Sequence, residues 1–124
     1  GSSESLATDP KDLHFNSRKL LDNIGNNQEF LEEILDEVPV QFSYDIQTLA
    51  KAIGDHDFAG IKSTAHSIKG AALNMYFNQL AETARNIELV CEEKNIDKLN
   101  AIFNELVTEW EQVHILLQDM KRSS

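Results

Sequence analysis

Ile61-Lys62-Ser63-Thr64-Ala65-His66-Ser67-Ile68-Lys69-Gly70-Ala71-Ala72-Leu73-Asn74-Met75 is the stretch whose spacing decides the fold class. Ile61, Ala65, Ile68, Ala72 and Met75 recur every three or four residues, the repeat of a helix with one buried face. At about 100° per residue, His66 falls on the opposite side, and Ala59, Lys62, Ser63, Lys69, Gly70 and Leu73 share its face. Residues three and four apart on a helix are neighbours, so Lys62 and Lys69 are expected to flank the imidazole. Gly70 removes a side chain that would otherwise crowd it. A nucleophile between two cations on a cleared surface suggests a phosphoryl acceptor that another protein must reach. Ala59, Lys62, Ser63 and Leu73 are then the candidate partner contacts.

Charge points the same way. The chain of 124 residues holds 21 acidic residues against 11 Lys and Arg, a net charge of -10. Yet no Asp or Glu occurs from Phe58 to Ala81, where the average density would place about four. A locally positive stretch in an acidic protein favours an anion such as a phosphoryl group. An acidic chain argues against nucleic acid, whose backbone needs a basic surface.

Outward from this helix, the rest of the chain also reads as helical. Gly1 to Phe15 is a polar segment with Pro10, expected to be a mobile leader. The start Gly1-Ser2-Ser3, without Met, reads as a cloning scar on an excised segment. A short helix from about Ser17 is expected to bury Leu20, Leu21 and Ile24, with Gly25 as its C-cap. Asn26 and Glu29 stand at capping-box spacing. The second helix should bury Phe30, Leu31, Ile34, Leu35, Val38, Phe42, Ile46, Leu49 and Ile53, bend near Leu35 because of Pro39, and end at Gly54. Asp55 or Asp57 should cap the His66 helix. Asn78 should cap a fourth helix with Leu80, Ala84, Ile87 and Cys91 inside. Asp97 should cap a fifth, burying Leu99, Ile102, Phe103, Leu106, Trp110, Val113 and Leu117. Short connections imply antiparallel neighbours. The expected fold is all-α, an up-down antiparallel four-helix bundle with a short extra N-terminal helix. It would span 16–120 as one domain, with a tail at 121–124.

Other sites are weaker. His14, His56, His66 and His114 are never three or four apart, so no helical zinc site is expected. There is no Gly-rich phosphate loop for ATP. Cys91, the single cysteine, falls on a buried face, and its solitude fits a reducing, cytoplasmic setting. Glu32, Glu33, Asp36 and Glu37 read as a solvated face. No apolar run nears the roughly 18 residues of a membrane helix, so direct membrane contact is not expected, although a longer parent protein anchored in an inner membrane stays open.

The segment Ala65-His66-Ser67-Ile68-Lys69-Gly70-Ala71-Ala72, followed by Leu80-Ala81-Glu82-Thr83-Ala84-Arg85-Asn86-Ile87-Glu88, resembles histidine phosphotransfer (HPt) domains of two-component phosphorelays. The likeness runs from about Asn16 to Met120. It implies that His66 is the phosphoacceptor, Lys69 the neighbouring cation, and Gly70 the small residue that admits an aspartate-bearing receiver domain. Glu88 matches the place where chemotaxis-kinase members hydrogen-bond their histidine with a carboxylate; Arg85 is a rival partner for it. The chain departs from the family pattern at Tyr76, where glycine is frequent, and at Ala71, where serine is frequent. The resemblance implies a monomeric phosphocarrier rather than an enzyme. It would have no metal or cofactor of its own, with Mg²⁺ supplied by the receiver. Two alternatives are the phosphoacceptor domain of a chemotaxis-type kinase and a helical adaptor that is never phosphorylated.

Overall fold

The computed structural model describes residues 17–25 and 27–123; the leader expected at 1–15 and Asn26 lie outside them. Five helices follow one another: α1 (Ser17–Asn23), α2 (Gln28–Gly54), α3 (Phe58–Asn74), α4 (Asn78–Cys91) and α5 (Ile96–Ser123). No strand occurs among the described residues. α3 packs against α2 and α4, and α5 packs against α4 and α2, so α2 to α5 close a four-cornered antiparallel bundle. The fold class expected from periodicity is the one observed.

The corners are fixed by backbone chemistry. Gly25, at φ +66°, takes the left-handed conformation that ends α1. α2 ends at Gly54, but the left-handed residue is His56, at φ 57°. The His56 amide donates to Ile53 O and the Asp57 amide to Ala52 O, the paired bonds of a Schellman turn. α3 ends the same way: Tyr76 has φ 61°, its amide donates to Leu73 O, and the Phe77 amide donates to Ala72 O. Tyr76 thus adopts the backbone that a glycine would favour there. The turn delivers Phe77 into the core with no exposed surface.

Three caps differ from expectation. The N-cap of α2 is Asn27, whose side chain accepts from the Phe30 amide at 3.1 Å. Phe77 occupies the N-cap of α4 without a side-chain bond, and Asn78 is the first helical residue. Asn95 accepts from the Lys98 amide at 3.2 Å, which moves Asp97 into the first turn of α5. α2 continues through Pro39 as one helix. α5 runs on to Ser123, so Lys121 and Arg122 form its last turn rather than a tail, and Lys121 pairs with Asp36 at 2.5 Å.

Leu49, Ile61, Ile68, Leu80, Ile87, Leu99, Leu106 and Val113 are fully enclosed, and burying each such side chain contributes about 1.5–3 kcal/mol. Phe42 contacts Phe77 at 5.5 Å and stacks on Trp110 at 5.0 Å, and Trp110 stacks on His114 at 5.3 Å. Phe30, expected inside, is 48% exposed. The core holds α3 rigidly along one stripe and leaves its other face free.

Candidate functional site

α3 begins at Asp57, whose Oδ1 accepts from the Gly60 amide at 3.1 Å. Ile61, Ala65, Ile68 and Ala72 have no exposed surface. That register turns Ala59, Lys62, Ser63, His66, Ser67, Gly70 and Leu73 outward, and all are exposed. The His66 side chain is 70% accessible. A Cβ added at Gly70 would meet no atom within 4 Å, so the open space beside the imidazole is real.

The imidazole is oriented from α4. His66 Nδ1 lies 2.9 Å from Glu88 Oε1, while Lys69 Nζ lies 2.9 Å from Glu88 Oε2. A carboxylate only accepts, so the hydrogen is placed on Nδ1, and Nε2 carries the lone pair toward solvent. Arg85 does not compete: its guanidinium approaches Glu82 at 4.0 Å. The Glu88 side chain is only 13% exposed. Burial alone would raise its carboxyl, but the hydrogen bonds and charges of Lys69 and His66 outweigh that and hold it below the ordinary value.

Lys62 sits differently from expectation. It does not serve the imidazole; it pairs with Glu92, the C-cap of α4. The hydrogen bond to Glu92, reinforced by its charge, raises the Lys62 ammonium and lowers the Glu92 carboxyl. Glu92 was not visible as a site residue in the sequence, yet a signal existed. Four residues back along α3 and four forward along antiparallel α4 lead from the His66–Glu88 contact to Lys62 and Glu92. The acid-free run from Phe58 to Ala81 is therefore acid-free only along the chain. In space, two carboxylates, Glu88 on α4 and Glu92 at its C-cap, balance its two lysines.

The remaining candidates stay apart from this site. His56 is exposed in the α2–α3 turn. His114 stacks on Trp110. Cys91 is buried with its thiol donating to Phe58 O at 3.0 Å, and burial raises its pKa. Among the described residues no cluster of three His, Cys, Asp or Glu side chains could hold a metal ion. None of the described helices is long and apolar enough to cross a membrane.

An outward ring nitrogen, a proton held on its partner nitrogen and an adjacent ammonium give this face a nucleophile beside a cation, chemistry suited to an anionic electrophile. No curated protein matches the chain. The crystal structure of histidine-containing phosphotransfer protein B (HptB) from Pseudomonas aeruginosa PAO1 shares the fold, with a TM-score of 0.79 at 22% identity, covering 94% of this chain and 99% of that one. A family model described as the Hpt domain matches residues 28–120, from the first turn of α2 to the end of the α5 core. The chain belongs to the Hpt domain family.

Proposed function

We propose that this domain carries a phosphoryl group on Nε2 of His66 between receiver-domain aspartates in a phosphorelay. Hpt domains are phosphocarriers that work with receiver domains in two-component signalling. The observation that supports the assignment to His66 is its geometry: 70% exposure, Nδ1 tied to Glu88, and Nε2 free. The Nε2 lone pair attacks phosphorus in line as the bond from phosphorus to the aspartyl oxygen breaks and the carboxylate leaves. The ring gains positive charge, which the Glu88 carboxylate offsets. Lys69 stands within one turn to meet the phosphoryl oxygens. Such transfer depends chiefly on position and charge stabilisation. In this reading the receiver supplies the Mg²⁺.

A second reading has one observation in its favour. A carboxylate on Nδ1 is also the arrangement of chemotaxis-kinase phosphoacceptor domains, which take phosphate from ATP bound on a separate catalytic domain. Phosphorylated receivers and an ATP-loaded kinase domain, offered in parallel, separate the two. Receiver-dependent, acid-labile label on the wild type and none on His66→Gln is the expected outcome. Glutamine can still donate to the Glu88 carboxylate in place of Nδ1, so loss of label in a variant that circular dichroism shows to be folded reports chemistry. Label persisting in His66→Gln would refute the assignment.

A further inference from the structure

α2 and α5 meet along a cleft of about 280 Å³, on the side of the bundle opposite the α3–α4 groove. That volume lies near the lower end of the ~300–1,000 Å³ of small-molecule sites. Leu35 and Pro39 of α2 and His114 and Leu117 of α5 line it, together with the exposed Asp36 and Lys121. Polar groups here are short of donors. Pro39 has no amide, so Leu35 O has no helical donor four residues on, and the pyrrolidine ring crowds that carbonyl. Asp36 Oδ1 accepts from Lys121 at 2.5 Å, while Oδ2 makes no hydrogen bond among the described residues. The His114 ring ends the stack of Phe42 and Trp110, and its nitrogens likewise make no hydrogen bond among the described residues. Glu32, Glu33 and Glu37 stand exposed on α2 around Asp36, in a chain of net charge -10.

We infer that this cleft binds a small aromatic cation, an arylalkylammonium or an arylamidinium, through Leu35 O and Asp36. A carbonyl and a carboxylate only accept, so the ligand must donate, and the acidic surroundings favour a positive charge on the donor. Its N–H groups reach Leu35 O and Asp36 Oδ2. Its flat ring lies against Pro39, Leu117 and the His114 imidazole. Lys121 competes with the ligand for Asp36. The two side chains of that pair are 59% and 61% exposed, and pairs so exposed hold weakly. The cleft stands apart from His66 and does not rest on the phosphocarrier reading.

Phenethylammonium is the probe, and phenylacetate, with the same ring and the opposite charge, is its counterpart. Each is titrated into the ¹⁵N-labelled full chain at constant ionic strength and followed by ¹H–¹⁵N correlation NMR. Phenethylammonium should give saturable shifts centred on Leu35, Asp36, His114 and Leu117, and phenylacetate none. Pro39→Ala supplies the amide that Leu35 O lacks, and Asp36→Asn removes the charge; each should weaken binding about fivefold or more. Lys121→Gln removes the competitor and should tighten binding about threefold, whereas a site for anions would lose affinity. Circular dichroism confirms that each variant is folded. Absence of saturable shifts, equal binding of phenylacetate, or wild-type affinity in Pro39→Ala overturns the site. Shifts spread over Glu32, Glu33 and Glu37 that Asp36→Asn leaves unchanged overturn it too, because they report only an acidic surface gathering cations.

Discussion

Glu88 is where local chemistry has the clearest consequence. Its carboxyl titrates below its unfolded value because Lys69 and His66 stabilise the anion more than burial penalises it. A carboxyl depressed in the folded state contributes stability that is fully present above the unfolded pKa, about 4.3, and lost as pH falls through the folded pKa. Glu88→Gln lacks that contribution. The stability gap between wild type and Glu88→Gln should therefore narrow between pH 5 and pH 3, as read by urea unfolding. A gap that widens on acidification would contradict the pairing. Gly70 makes a complementary case. With nothing within 4 Å of an added Cβ, Gly70→Gln should stabilise the helix by about 0.5–1 kcal/mol and yet slow receiver transfer at least tenfold. Unimpaired transfer would show that no partner comes close to Gly70. Both residues were legible in the sequence, but for different reasons. Gly70 follows from helical phase, whereas the Glu88–His66 contact needed the family resemblance, because helical phase alone says nothing about which helix lies alongside.

At the scale of the elements, apolar period located every helix, and side-chain chemistry located only some of their ends. Asp57, one of the two caps expected with Asp55, caps α3, but Asn27 and Asn95 replace Asn26 and Asp97. Neighbouring residues with similar side-chain acceptors differ in capping only by which oxygen meets an amide three residues on, and that is set by the incoming loop. Phe77 was missed for a related reason. It belongs to no helical stripe, and it enters the core because Tyr76 turns left-handed just before it. His56 takes the same backbone at φ 57° while remaining exposed. A left-handed residue with a Cβ costs about 1–2 kcal/mol, part of which is offset by the greater unfolded-state freedom of glycine. His56→Gly should thus stabilise the domain by about 0.5–1 kcal/mol in chemical denaturation. Destabilisation would mean that the imidazole makes a contribution its exposure does not suggest.

Across the whole molecule, the bundle acts as a rigid mount. The stack of Phe42, Phe77, Trp110 and His114 ties α2, the α3–α4 turn and α5 together. α3 is locked by its buried stripe, and α4 holds the imidazole from the side. That division leaves the His66 ring accessible, with Nδ1 held by Glu88 and Nε2 without a protein partner among the described residues. The most direct measurement is ¹⁵N and ³¹P NMR of the ring after the protein has been phosphorylated by a receiver domain. The account predicts phosphorus bonded to Nε2 of His66, with Nδ1 still protonated and coupled to Glu88. Phosphorus on Nδ1, or on any other residue, would contradict it.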